Sequence, residues 1–152
     1  MLAEPVLLDT DTLSELSRGN PAVTARARAY LSEFGRLTIS AVTVFERLRG
    51  YRQAIRAGKP FQRQMHAFEA LSAQSVVLAF DNDAADVAAA IWSAISRTQR
   101  QQLGDILIAA VAIARQIPLA TRNRRDFEAL AKASDLNLRL VDWTATAKRV
   151  SR

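Results

Sequence analysis

The sequence predicts an α/β fold built on a central, mostly parallel sheet of five strands flanked by helices. Two observations carry this expectation. Short apolar, β-prone runs recur at Val6-Leu7-Leu8, Leu37-Thr38-Ile39-Ser40, Ser75-Val76-Val77-Leu78, Pro118-Leu119-Ala120-Thr121 and Leu138-Arg139-Leu140-Val141. Between them lie stretches whose apolar residues follow helical spacing, and strands alternating with helices indicate βα units. The 152 residues contain no internal repeat, low-complexity tract or Gly/Ser linker, so one domain spanning 1–152 is expected.

The elements follow in chain order. Val6-Leu7-Leu8 is apolar throughout, as a strand buried on both faces requires, and stops abruptly at Asp9-Thr10-Asp11-Thr12. Asp11 or Thr12 can cap a short helix through Arg18, which Gly19-Asn20-Pro21 ends. Val23, Ala27, Tyr30, Leu31 and Phe34 keep helical spacing. The second strand leads directly into a helix from Ala41 to Ala57, which Gly58 and Pro60 break. The next helix carries Phe61, Met65 and Phe68 on one side. After the third strand, Ala84, Val87, Ala88, Ile91 and Ile95 mark an amphipathic helix. Gly104-Asp105 opens a helix so apolar from Ile106 to Ala114 that it must be buried on nearly all sides. A last helix, from Arg124 to Lys132, separates the fourth and fifth strands.

Composition excludes whole classes of chemistry. The chain has no cysteine, which removes disulfides, thiolate catalysis and cysteine-ligated zinc or iron–sulfur centres. His66 is the only histidine; it sits among Gln64, Met65 and Phe68 on a packing or surface helix and is assigned no catalytic role. The longest apolar run, Ile106 to Ala114, has nine residues. A bilayer span needs about 20. No secretory signal precedes Asp9, so a soluble, cytoplasmic protein with no membrane partner is expected. The chemistry must come from carboxylates, hydroxyls, amides or arginines.

Charge narrows the partners. Lys and Arg number 21 against 15 Asp and Glu, a net charge of +6. Between Glu46 and Glu69 there is no acid, only Arg47, Arg49, Arg52, Arg56, Lys59 and Arg63, and Arg122, Arg124 and Arg125 form a second cluster. Such clusters are either solvated surface or an electrostatic footprint for nucleic acid or an acidic partner. Arg49, Arg52 and Arg56 stand at i, i+3 and i+7 and project from one helical face.

Three acids stand out because hydrophobic neighbours make them costly. Asp9 ends a buried strand, Glu46 follows Val42, Val44 and Phe45, and Asp105 precedes the apolar run. A carboxylate pressed against a core costs free energy unless it is paired, capped or bound to a cation. In a βα unit the residue closing a strand and the first turns of the next helix lie at the carboxyl edge of the sheet, which places Asp9 and Glu46. A helix leading into a parallel strand begins at the same edge, which places Asp105. Thr121 and Asn123, closing the fourth strand, arrive there too, and this edge is where open α/β sheets bind ligands. Each residue also has an ordinary structural reading: Asp105 as a helix cap, Asp9 as a turn residue, Glu46 as a half-exposed helix residue, Thr121 and Asn123 as turn residues. Taken together, converging carboxylates without histidine or cysteine favour Mg²⁺ or Mn²⁺ bound by oxygen, and a basic surface beside such a site suits phosphodiester cleavage.

The segments that carry these residues resemble a known family. VLLDTDTLSEL resembles the opening of PIN-domain nucleases, and more closely of the VapC-type toxins of toxin–antitoxin modules. ISAVTVFERLRG resembles their second motif, and GDILIAAVAIARQIPLATRNRRDFEAL their third and fourth run together, so the resemblance spans Val6 to Trp143. It implies a three-layer PIN-like fold and a Mg²⁺- or Mn²⁺-dependent endoribonuclease. It also implies a homodimer with an RNA substrate, neutralised by a cognate VapB-type antitoxin. By motif position Asp9, Glu46 and Asp105 match the three core acids, as catalytic residues and metal ligands. Asn123 departs from the pattern, since some members carry Asp at this fourth position; an amide can coordinate or hold water but brings no charge. Asp126 is a possible replacement, or simply part of the turn into the last helix. Asp11 supplies an extra carboxylate, and Thr10 and Thr121 would orient water or carboxylates through their hydroxyls.

Two rival readings stay open at this point. VLLDTDTL also resembles the opening of haloacid dehalogenase-like phosphatases, with Asp9 as nucleophile and Asp11 as acid/base. That family needs a phosphate-binding lysine and a later acidic pair, whereas this chain has only Lys59, Lys132 and Lys148, and the residues after Asp105 are all apolar through Ala114. The other rival is a PIN-like domain that binds RNA or protein without cutting.

Overall fold

Apolar strands this short satisfy their backbones only by pairing, and those buried on both faces do so inside a covered parallel sheet. In the computed structural model, which describes residues 4–146, they form one. The elements are β1 (Leu7–Leu8), α1 (Thr10–Ser17), α2 (Pro21–Phe34), β2 (Thr38–Ser40), α3 (Ala41–Arg56), α4 (Gln62–Ala73), β3 (Val76–Leu78), α5 (Asn82–Ala94), α6 (Leu103–Arg115), β4 (Leu119–Ala120), α7 (Arg124–Ser134) and β5 (Leu140–Val141). The sheet order is β3-β2-β1-β4-β5. Every pairing is parallel, with Leu7 opposite Thr38 on one side and Leu119 on the other.

Side-chain alternation along the strands divides the core in two. Leu7 and Leu119 point into a cluster with Ala84, Ala88 and Ile91 of α5, Ile106 and Ile108 of α6, and Phe127 and Leu130 of α7. Val6, Leu8 and Ala120 point the other way, onto Leu13 of α1, Val23, Ala27 and Tyr30 of α2, Phe68 of α4 and Trp143. Helices therefore cover both faces, giving the three-layer α/β arrangement that the strand–helix alternation predicts. Truncating a fully buried member such as Leu8 or Ile106 to Ala should cost about 2–5 kcal/mol. In α6, Ile106 and Ile108 to Ala112 are all buried, which explains the unbroken apolar run.

Two expected caps move. α1 starts directly after β1, and its cap is Asp9, whose carboxylate accepts the Thr10 N–H at 2.8 Å, rather than Asp11 or Thr12. α6 begins at Leu103 with Gln102 at the cap position, so Asp105 lies within the first turn and is not the cap. Lys148 lies outside the described residues. Among the described residues no helix is long and apolar enough to cross a membrane.

Candidate functional site

The sheet order reverses between β1 and β4: the chain moves outward through β2 and β3, then returns to the opposite side for β4 and β5. At such a reversal the loops leaving the carboxyl ends diverge and open a crevice. Asp9 follows β1 and Thr121 follows β4, so both stand at its mouth. The Thr121 hydroxyl lies 2.9 Å from Asp9 Oδ2, to which it donates, and 3.3 Å from Asp11 Oδ2. The Arg122 N–H also donates to Asp11 Oδ2, at 3.0 Å. Asp9 is 4% exposed. Burial, reinforced by the adjacent Asp11 charge and by Asp105, pushes its carboxyl up to about 7, against the hydrogen bonds from Thr121 and Thr10.

The opposite wall comes from α3 and α6. Ser40 caps α3 by accepting the Thr43 N–H, and the Thr43 hydroxyl lies 3.3 Å from that of Thr10, tying the start of α3 to the start of α1. One turn on, Glu46 projects toward α6, where its carboxylate rests against Gly104. Burial raises the Glu46 carboxyl, opposed by the Arg49 and Arg47 guanidinium charges and the Thr10 hydroxyl. Its Oε1 is buried with no hydrogen-bond partner among the described residues. Asp105 is pushed up to about 6 by burial first, then by Glu46, Asp126 and Asp11. Asp126, in the first turn of α7, accepts a hydrogen bond from Gln102 Nε2 at 3.3 Å. Asn123 donates its backbone N–H to Thr121 Oγ1 at 3.0 Å, while its side chain makes no capping bond.

Asp105 acts on Asp9 and Glu46 acts on Asp105, so the three acids placed at one edge by the sequence lie near enough for their charges to interact. Among the described residues, no three such side chains converge tightly enough, as placed, to ligate a single ion. The donor chemistry still suits Mg²⁺ or Mn²⁺: every candidate ligand is an oxygen, one carboxylate oxygen is buried without a partner, and Mg²⁺ usually takes one or two carboxylates and keeps several waters.

Arg49, Arg52 and Arg56 share a face as their spacing predicts, lining an open groove of about 610 Å³ with Phe45, Leu48 and Gln53. The Arg49 guanidinium stacks over Phe45, 5.3 Å from the ring centroid. Arg47 leaves that basic stretch and turns inward, donating to Ser14 Oγ and to the Thr10 carbonyl. Nothing in the local sequence separates it from its exposed neighbours; its side chain is fixed by α1, which packs beside it only in the fold. Gly104 is the other residue that the sequence offered merely as a helix start.

The model of the PIN domain matches residues 6–133. Among curated proteins, no sequence match is found. Similar solved structures include DNA-bound VapBC from Salmonella typhimurium, with 24% identity and a TM-score of 0.71 over 94% of this chain and 99% of that one. FitAcB from Neisseria gonorrhoeae is similar with 25% identity and a TM-score of 0.62, over 91% of this chain and 97% of that one. A toxin–antitoxin complex from Klebsiella pneumoniae shows 24% identity and a TM-score of 0.57, over 80% and 89%.

Proposed function

The chain belongs to the PIN domain family, and on that premise we propose that it is a metal-dependent endoribonuclease of the VapC toxin type. The observation that carries this reading is the acidic crevice: Asp9 and Asp105, each raised by burial and by neighbouring carboxylates, face a site where above neutral pH a bound cation would relieve the repulsion that a proton relieves in acid. Asp9, Glu46 and Asp105 would hold Mg²⁺ or Mn²⁺, with Asn123 and Asp126 at the fourth corner. The bound ion supplies Lewis-acid activation of water and stabilises charge on the phosphodiester. The chain's own residues prepare that chemistry. Thr121 and Thr10 both hold the Asp9 carboxylate, and Asp11 adds negative charge at the mouth. Arg49, Arg52 and Arg56 offer cations to an RNA backbone or to an antitoxin.

The family assignment places the Asp9-Thr10-Asp11-Thr12 opening of this chain outside the dehalogenase-like phosphatases. VapBC, FitAcB and the Klebsiella pneumoniae toxin–antitoxin complex, all similar in fold, support an antitoxin as partner. We extend the reading to a homodimer acting in the cytoplasm, with 1–152 as one nuclease domain. The test is cleavage of RNA by the purified protein with Mg²⁺ or Mn²⁺, with EDTA, and after Asp9→Ala. Metal-dependent cleavage that the variant loses is expected. A folded wild type that binds RNA and never cuts it would overturn the enzyme in favour of a binding domain.

A further inference from the structure

We propose that Gly104 is a positioning residue whose missing side chain forms the seat of the Glu46 carboxylate; the inference rests on the nuclease reading above. A Cβ on Gly104 would stand 2.6 Å from Glu46 Oε2 and 3.0 Å from Glu46 Cδ. Atoms do not approach that closely, so any side chain at 104 evicts the carboxylate. At the other four glycines no atom of the described residues, the glycine's own neighbours and helix backbone aside, lies within 4 Å of the corresponding point.

Backbone conformation does not account for this glycine. Gly104 lies in the first turn of α6 and its φ is not positive, so alanine fits the backbone and is the better helix former. A glycine here gives up helix stability for space, and the space is filled by Glu46. Because Glu46 Oε1 accepts no hydrogen bond, its position depends on the shape of the walls around it more than on a donor. Gly104 also precedes Asp105, so the same clearance sets how near the two carboxylates stand. Glu46 has free torsions and can swing away, so a substitution at 104 should harm the site while sparing the fold.

Two measurements test this. In thermal melts of the metal-free protein, Gly104→Ala should raise Tm by about 2–4 °C in a Glu46→Ala background, where the seat is vacant, and by clearly less in wild type. In calorimetric titration with Mn²⁺, Gly104→Ala should weaken binding by about tenfold or more. It should cost no further affinity when added to Glu46→Asp, whose carboxylate is one methylene shorter. An equal Tm change in both backgrounds, or unaltered Mn²⁺ affinity in Gly104→Ala against a wild type that binds, overturns the proposal. If wild type neither binds Mn²⁺ nor cuts RNA but the Tm cycle still shows coupling, the steric seat stands and the nuclease reading falls.

Discussion

Thr121 and Asp9 are 112 residues apart in the chain, yet the Thr121 hydroxyl donates to the Asp9 carboxylate at 2.9 Å. They meet because β4 runs parallel beside β1 with Ala120 opposite Leu8, so each strand delivers its next residue to the same edge. Among the described residues, this hydroxyl and the Thr10 N–H are the donors that Asp9 receives. A buried carboxylate with so few donors is held under electrostatic tension, and the behaviour of the site follows from that.

Thr121→Val keeps the shape and removes the donor. It should destabilise the protein by about 1–3 kcal/mol at pH 8, because a buried acceptor loses its partner. It should also raise the Asp9 carboxyl further and cut RNA cleavage. Thr121→Ser should retain most of both properties. Urea denaturation of the two variants at pH 8 is the measurement; equal stabilities would remove the hydroxyl from the account.

Stability of the metal-free protein should fall as pH rises. Asp9 sits at about 7 and Asp105 at about 6 when folded, both above the ordinary 3.8. A group that holds its proton more tightly in the folded state favours folding fully below its unfolded pKa, and that contribution is lost as pH climbs through the folded value. The decline should therefore run from about pH 4 and finish above pH 7, with a tenfold change in proton affinity worth about 1.4 kcal/mol. Asp9→Asn keeps an oxygen for the Thr10 and Thr121 donors and should flatten most of the slope. Melting temperatures between pH 5 and pH 8 decide it, and a wild-type profile as flat as that of Asp9→Asn would refute the burial argument.

Asp105→Asn separates a cation ligand from a structural acid. Gln102 holds the cap position and, among the described residues, no group lowers the Asp105 pKa, so its charge opposes Glu46 and Asp126. The metal-free variant should be as stable as wild type or more so, with the repulsion relieved. Wild type should gain about 2.7 kcal/mol when Mn²⁺ is at 100 times its dissociation constant, and the variant much less. Paired melts at pH 7.5 with and without Mn²⁺ read both effects. A destabilised variant beside a metal-insensitive wild type would leave Asp105 a structural residue.

Arg49→Glu with Arg52→Glu tests the groove. Both side chains line it, so the double reversal should leave Tm nearly unchanged. It should weaken RNA or antitoxin binding and flatten the dependence of affinity on salt, since each lost phosphate contact lowers the slope by about one. Unaltered affinity and slope would make the face an ordinary solvated one.

Strand and helix positions were legible because apolar period, strand-ending acids and Gly/Pro breaks are local properties, complete within a turn or a strand. The same locality made Asp9, Glu46 and Asp105 conspicuous: each is a carboxylate set against its own apolar neighbours. The shared edge followed from βα geometry, which needs only the order of elements. Which acid sits beside which was settled by the sheet order, because that order brings Thr121 to Asp9 and places Asp126 close to Asp105. Local pattern also pointed to the wrong cap for α1, since Asp11 and Thr12 are equally good cap residues and only the end of β1 decides that Asp9 takes the role. The inward turn of Arg47 onto Ser14 and the meeting of Gly104 with Glu46 lie wholly outside local pattern. A side chain's direction and the space around a missing one are set by packed neighbours from distant parts of the chain, and those neighbours arrive only when the core closes.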